Sequence, residues 1–343
     1  MSKEQQRELK KSVQPFTTSD TKKSIWQIIN TIPPFFLLWF LAYQSLEVSV
    51  WLAVPFIVLA AGFVVRMFII FHDCTHGSFF KNQKANRIMG TITGIFTHFA
   101  FEKWKRSHAI HHATSGNLDK RGIGDIWIMT VEEWKQASKM ERLQYRLYRH
   151  PLVMFGLGPW MLFLYDNRLN RKGAKGRERW NTHLINASLV VLYTTGILTL
   201  GWAFLAIQLS TLFVSGVLGI WLFYVQHQFE DAYFEHEENW DFVKAAVDGS
   251  SYYKLPKVLQ WLSGNIGYHH VHHLSPKVPN YNLEETHEKT TPLQKVTTVT
   301  LWSSFESIRF RLFDEDAKQF VTFKEAEKKQ TPVRPDNRKR MTG

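Results

Sequence analysis

The chain has 343 residues, a net charge of +12 and one cysteine, Cys74. A single cysteine excludes an internal disulfide and is typical of a reducing compartment. The basic residues flank apolar runs and do not form one polar domain, so the charge favours anionic lipid headgroups and acidic proteins as partners over nucleic acid. The mean hydropathy of -0.22 is that of a soluble protein, yet the apolar residues are concentrated in long uncharged runs.

Two blocks of apolar sequence are each long enough for two membrane-spanning helices. The first block, 24–65, is interrupted only by Glu47, and the second, 180–229, contains Gly201-Trp202 near its middle. Because a hydrocarbon core of about 30 Å needs roughly 20 apolar residues of helix, each block is predicted to form one hairpin. The predicted fold is all-α integral membrane, with four transmembrane helices in two hairpins and a cytoplasmic helical cap. The predicted spans are about 25–46, 49–71, 183–202 and 204–226.

Basic residues predict the orientation, because cytoplasmic loops of membrane proteins are rich in Lys and Arg. The turns around Glu47 and Gly201 contain none, whereas RLNRKGAKGRER (168–179) has six basic residues and one acidic residue. Both termini and the segment between the hairpins are therefore expected on the cytoplasmic side of a cell membrane. Residues 1–23 are interpreted as a cytoplasmic arm, 24–323 as the membrane domain and 324–343 as a charged, disordered tail.

Two shorter apolar stretches, 88–101 and 151–165, are too short for a span and are predicted to be interfacial or re-entrant. Between them, Thr130 and Glu133 form a capping-box pattern. It predicts an amphipathic helix through roughly Tyr148 that lies on the membrane surface or in the cytoplasmic part.

Histidines are concentrated at four places that this topology brings to one side of the membrane. The second span ends near HDCTH (72–76), HAIHH (108–112) follows the first short apolar stretch, the fourth span ends at His227, and HHVHH (269–273) lies beyond it. Helix positions i, i+3 and i+4 share one face, so the three clusters each present two or three imidazoles together, and His227 adds one. The candidate metal ligands are His72, His76, His108, His111, His112, His227, His269, His272 and His273.

Nine imidazoles exceed the ligand set of one metal ion and suit two. His270 lies off the face shared by His269 and His273 and is left out, and the other five histidines are interpreted as structural or solvated. Imidazole accepts zinc, copper, iron or nickel, so ligand type alone does not choose the metal.

The order His-x-x-x-His, His-x-x-His-His, His-x-x-His-His, separated by hydrophobic hairpins, resembles the membrane fatty acid desaturase family. The resemblance covers about 25–320. The stretches FIIFHDCTHGSFF, HAIHHATSGNLDKRGIGDIW and GNIGYHHVHHLSPKVPNY are similar to the bacterial acyl-lipid branch, which modifies membrane phospholipids when fluidity falls. This resemblance implies two iron ions (Fe2+/Fe3+) bound by the nine histidines, and O2 as co-substrate. It also implies a cis double bond in a saturated acyl chain, at the fifth carbon (delta-5).

Such a reaction needs two electrons, and the sequence contains no Gly-x-Gly-x-x-Gly loop, no cysteine cluster and no His-Pro-Gly-Gly motif of a cytochrome b5 domain. A separate donor is therefore expected, and the resemblance suggests ferredoxin or flavodoxin. Both are acidic, so a basic cytoplasmic surface would attract them. Candidate contacts with the donor or with a lipid headgroup are Lys120, Arg121, Arg168, Arg171 and Lys172, although these residues would equally set topology and touch anionic lipid.

Metal-bound histidines usually donate their second ring N–H to a carboxylate or carbonyl group. The candidates for this role beside the clusters are Asp73, Asp125, Glu230, Asp231 and Asn265.

Two alternatives remain open. A hydroxylase or ketolase of the same superfamily would keep the metal site and form a C–O bond. A metal transporter or sensor would use the histidines as a relay, but transport places ionisable ligands inside the spans, whereas here they lie at the cytoplasmic ends.

Overall fold

The computed structural model describes residues 1–329 of the chain. The helices in chain order are α1 (Lys3–Val13), α2 (Thr21–Ile29), α3 (Ile32–Ser45), α4 (Val50–His76), α5 (Gln83–Thr97), α6 (Phe101–Thr114), α7 (Val131–Gln136), α8 (Lys139–Tyr148), α9 (Gly158–Trp160), α10 (Gly176–Leu200), α11 (Trp202–His227), α12 (Phe242–Val247), α13 (Lys257–Leu262), α14 (His269–Leu274), α15 (Leu283–Lys289) and α16 (Phe323–Lys328).

Five short strands lie in the polar part of the chain: β1 (Met129–Thr130), β2 (Tyr252–Lys254), β3 (Thr298–Thr300), β4 (Leu312–Asp314) and β5 (Gln319–Val321). One sheet has the order β1-β4-β5, with β1 parallel and β5 antiparallel to β4. The other sheet pairs β2 and β3 in parallel, with Tyr253 opposite Val299.

Four helical segments are long and apolar enough to cross a membrane: Thr21–Ser45, Val50–His76, Gly176–Leu200 and Trp202–His227. The first segment consists of α2 and α3, and α3 has a proline in its first turn, where the missing N–H costs no helical hydrogen bond. Large side chains on these segments are exposed, including Trp51 and Leu198 at 80% each, as expected for surfaces that face lipid. The predicted fold class of four long apolar helices in two hairpins is confirmed.

Each hairpin turns within a few residues. Only Gly201 separates α10 from α11, and its φ of 69° and ψ of -166° belong to a region that is essentially restricted to glycine.

The second helix of the first hairpin is longer than predicted. α4 continues beyond residue 71 to His76 and stops at Gly77, which has a φ of 64°. The spanning helix itself therefore carries the first histidine cluster.

A cap of short helices and strands covers one end of the spans. In one of its apolar clusters, Leu9 and Val13 of α1 pack with Val271 and Leu274 of α14. The N-terminal arm is thus folded onto the element that carries the last histidine cluster.

The structure differs from the expectations for two polar segments. The helix predicted from Thr130 to Tyr148 is divided at Ala137, because Ser138 and Glu141 form a second capping box that opens α8. The segment 324–343, predicted to be a disordered tail, begins inside α16, where Ala326 is buried and Thr322 caps the helix. The rest of that segment, 330–343, lies outside the described residues.

Neither short apolar stretch belongs to one of the four segments long enough to cross a membrane. Residues 88–97 belong to α5, which packs against α4 and α10. The second stretch consists of α9 between two wider, π-helical turns, Leu152–Leu157 and Met161–Tyr165.

Candidate metal centre

The first histidine pair lies in the last two turns of α4. The spacing of four residues places His72 and His76 on one face, with their ring centroids 4.8 Å apart. His72 is buried and His76 is partly exposed.

The second cluster lies on α6, where His108, His111 and His112 are all buried. The Nε2 atoms of His108 and His112 are 3.0 Å apart, as the i, i+4 spacing allows. One turn earlier, Trp104 stacks on His108 with ring centroids 4.1 Å apart and 25° between the planes. The indole therefore limits the orientations that the His108 ring can adopt.

The third cluster occupies α14, in which all six residues are buried. His269, His272 and His273 point toward the other histidine clusters, whereas His270 points away and places its Nε2 atom 3.0 Å from Nδ1 of His287. Burial lowers the pKa of His270 to about 3, so this imidazole is neutral at physiological pH.

The nine histidines lie in two adjoining sets. In the first, Nε2 of His108 lies 2.9 Å from Nε2 of His72, and Nε2 of His112 lies 2.9 Å from that of His272. The five members of the first set, whose ligand atoms all lie within 4.8 Å of one another, are His72, His76, His108, His112 and His272.

The second set lies at the end of α11. The ligand atoms of His111, His227 and His273 lie within 4.8 Å of one another. Nε2 of His269 is 3.0 Å from that of His227 and 3.2 Å from that of His273, which makes His269 the fourth member. The rings of His112 and His273 stack with centroids 4.3 Å apart, so the two sets are in contact.

The spacing of these nitrogens fits bound metal ions. Two imidazole nitrogens that bind one ion at about 2.1 Å and at right angles to each other lie about 3.0 Å apart, close to the separations observed here. Among the described residues, the buried Nε2 atoms of His76 and His111 have no hydrogen-bond partner, and a metal ion would satisfy them. The two sets therefore fit two metal ions.

The electrostatics of the cap keep these imidazoles available as ligands. Burial, reinforced by neighbouring histidines, holds the pKa values of His108, His112, His269, His272 and His273 well below the usual range. A metal ion binds the neutral imidazole, so no proton has to be displaced at neutral pH.

Asp73 orients His72. Its Oδ1 atom lies 3.2 Å from Nδ1 of His72, while Oδ2 accepts hydrogen bonds from the backbone N–H and the side-chain amide of Asn280, at 2.7 and 2.8 Å. Nδ1 of His72 is thereby assigned as the protonated nitrogen, which leaves Nε2 free for the metal. Asn280 lies in a turn far along the chain from His72, and no sequence pattern indicates this role.

Asp125 has the same relation to His111. Its Oδ1 atom is 2.5 Å from Nδ1 of His111, so the proton lies on Nδ1 and the unpartnered Nε2 points into the second set. Asp125 belongs to the loop between α6 and β1, and adjacent Gly124 has a φ of 77° that lets this loop approach the helix closely. Each set thus contains a histidine oriented by a carboxylate.

The other three predicted orienting residues bind elsewhere. The backbone carbonyl of Glu230 accepts from Phe320, Asp231 accepts from Thr297 at 3.0 Å, and the side-chain amide of Asn265 donates to the Asn280 carbonyl at 3.3 Å. Within residues 1–329, none of the three forms a hydrogen bond with a histidine of the two sets.

Most of the candidate cations are held by internal partners. Lys120 pairs with Glu237, and Arg121 with Glu133, at 2.5 Å in each case. Arg171 pairs with Glu178 at 2.9 Å. Arg168 donates to Asn186 at 2.9 Å and to the His98 carbonyl, whereas Lys172 is exposed.

The fold and the site define a multi-pass membrane protein with a buried histidine-rich centre able to hold two metal ions. A profile of the Fatty acid desaturase family matches residues 49–304. The chain therefore belongs to the fatty acid desaturase family and is an oxidoreductase, as the resemblance of its histidine clusters implied.

Known relatives agree with this assignment. The fatty acid desaturase of Bacillus subtilis is 56% identical over 333 residues, which cover 97% of this chain and 95% of that protein. A chloroplastic omega-6 fatty acid desaturase of Arabidopsis thaliana is 26% identical, covering 70% of this chain and 54% of the plant protein. The sn-1 acyl-lipid omega-3 desaturase (ferredoxin) of a Nostoc strain is 24% identical, with 80% and 79% covered.

Proposed function

We propose that this chain is an O2-dependent acyl-lipid desaturase that introduces a cis double bond into saturated acyl chains of membrane phospholipids. The nine histidines of the two sets hold two iron ions, and a separate ferredoxin or flavodoxin supplies the electrons. The observation that carries the proposal is the convergence of imidazoles from α4, α6, α11 and α14 on two adjoining positions.

The reaction removes two hydrogens from neighbouring methylene groups. A saturated chain, O2, two electrons and two protons give the unsaturated chain and two molecules of water. Bound iron would supply dioxygen activation and hydrogen removal from an unactivated carbon, which side chains cannot perform by acid-base catalysis.

The protein residues prepare the site for this chemistry. Asp73 and Asp125 hold the Nδ1 protons of His72 and His111, so the Nε2 atoms stay available and correctly oriented. Burial of eight of the nine imidazoles excludes bulk water, which protects an oxidising centre from side reactions. Trp104 stacks on His108 and restricts its ring.

Two observations support a lipid-linked substrate. The first histidine pair and His227 lie at the ends of helices able to span the bilayer, so the metal centre is next to the membrane that holds a lipid-linked acyl chain. In addition, the Nostoc relative is named as an acyl-lipid desaturase that uses ferredoxin. The similarity of the histidine stretches to the bacterial acyl-lipid branch favours the fifth carbon as the position of the double bond.

In the proposed orientation the protein spans the plasma membrane. Both termini and the metal centre lie on the cytoplasmic side. The basic segment 168–179 supports this orientation, because it connects the two hairpins on the side where the histidine sets lie.

The proposal is tested by the fatty acid profile of phospholipids from a bacterial host that expresses the chain. We expect a new cis monounsaturated acid, with its double bond at carbon five, that is absent with the His111→Ala variant. A hydroxylated or keto acid would instead identify the chain as a hydroxylase or ketolase of the same superfamily. No new acid from iron-loaded protein with an active donor would contradict the proposal.

A further inference from the structure

One histidine of the metal centre reaches the protein surface. Eight of the nine imidazoles are buried, with exposures of 7% or less, whereas His76 is partly exposed. His76 is also the last residue of α4, directly before the half-exposed Gly77. An electron carrier that cannot enter the protein therefore comes closest to the two sets at His76.

Two exposed cations lie near His76, and a third follows one of them along α6. The ammonium group of Lys277 donates to the backbone carbonyl of His76 at 2.6 Å. Lys105 lies on α6 one turn before His108 and is close enough to act electrostatically on His76. Arg106, the next residue of α6, is also exposed. Within the described part of the chain, none of these three cations forms an ion pair with a carboxylate.

Three of the basic residues predicted to contact the donor or a lipid headgroup are already paired with carboxylates. Arg121 and Arg171 are neutralised by Glu133 and Glu178, and Lys120 by Glu237. A carboxylate on a partner would have to displace these internal pairs. The cations near His76 are free to meet a partner's acidic groups directly.

We propose that the His76 surface, formed by Lys105, Arg106 and Lys277 around the exposed part of His76, is the docking site for an acidic electron carrier of the ferredoxin or flavodoxin class. The inference rests on the proposed function, which requires two external electrons for each double bond. Positive charge here attracts an acidic carrier and orients its redox group toward the imidazole nearest the surface. The reduced carrier is oxidised by one electron at each encounter, so two encounters complete one turnover.

Binding of a reduced bacterial ferredoxin to the iron-loaded chain in nanodiscs tests the proposal directly. We expect the Lys105→Glu/Arg106→Glu variant to raise the Kd about tenfold or more at about 0.01 M salt, and the difference to shrink at about 1 M salt, where screening is strong. The matched control is Lys139→Glu/Lys328→Glu, which reverses two exposed cations elsewhere on the cap, on α8 and α16, and should change the Kd less than about twofold.

The variants must keep an intact metal centre. Iron content and turnover with dithionite, a small reductant that needs no docking site, should match the wild type. If the double variant loses iron, Lys277→Gln replaces it, and a raised Kd is again expected.

The outcomes separate the two proposals. Unchanged ferredoxin affinity in the Lys105, Arg106 and Lys277 variants, or a larger effect in the control, would overturn the docking site and leave the proposed function standing. The docking site would also be overturned if these variants bound anionic vesicles more weakly while their ferredoxin affinity stayed unchanged. The cations would then contact lipid headgroups. A wild-type chain that forms no double bond with either reductant would instead contradict the proposed function.

Discussion

Single side chains decide which nitrogen of a histidine faces the metal. Asp125 holds the Nδ1 proton of His111 at 2.5 Å, and Asp73 does the same for His72 at 3.2 Å. Both carboxylates lie in or near a histidine cluster in sequence, as do Glu230 and Asp231 beside His227. Proximity in sequence therefore identified the candidate carboxylates but did not show which of them contact a histidine. The direction of each side chain depends on the segment that packs against it.

Replacing Asp125 should weaken the second histidine set. We expect Asp125→Asn to lower iron affinity and desaturation by about 10- to 100-fold. A carboxylate only accepts a hydrogen bond and therefore selects the His111 tautomer with its proton on Nδ1, whereas an amide can also donate and does not select that tautomer. Asp231→Asn is the matched control, since Asp231 bonds Thr297. Metal titration and product analysis of both variants give the comparison, and equal losses would show that Asp125 has no special role.

The distribution of histidines between the two sets was beyond the reach of the sequence. Helical spacing predicted correctly that His108, His111 and His112 share a face. However, His111 lies in the second set and the other two in the first. That division arises because α6 contacts both helices: the ring of His108 lies 4.9 Å from that of His76 on α4, and the ring of His111 lies 4.9 Å from that of His227 on α11. Only the tertiary arrangement fixes these contacts.

Among the elements, the two long hairpins were predictable and the short segments of the cap were not. Uncharged runs define α3, α4, α10 and α11, since lipid imposes a strict requirement on length and polarity. Strands such as β4, with three residues, have no detectable periodicity. The break between α7 and α8 depends on one capping serine, Ser138, within an otherwise helical pattern.

The turn between α10 and α11 depends on one glycine. A side chain at Gly201 would meet no neighbouring atom within 4 Å, so any cost of Gly201→Ala comes from its backbone angles alone. We expect a loss of about 1–3 kcal/mol in stability. The control is Gly219→Ala inside α11, also in open space, which should be neutral or stabilising by up to about 1 kcal/mol. Thermal unfolding in detergent measures both, and equal midpoints would contradict this explanation.

At the scale of the whole molecule, the two hairpins must bring four helix ends to the same side of the membrane, or the histidines cannot meet. Alkaline phosphatase fused after Glu47 should therefore be active outside the cytoplasm. Fusions after Phe101 and Lys172 should be inactive, because both residues lie on the histidine side of the hairpins. External activity of either of the latter two fusions would contradict a topology of four spans.

The central claim is that nine histidines of this chain hold two iron ions, and the most direct test is the iron content of purified protein in nanodiscs. We predict two iron ions for each wild-type chain and close to two for His270→Gln, because His270 bonds His287 outside both sets. His272→Gln, which removes a ligand of the first set, should lose at least one ion. A stoichiometry of one iron ion in wild-type protein saturated with iron would contradict the account. Equal losses of iron in the two variants would also contradict it.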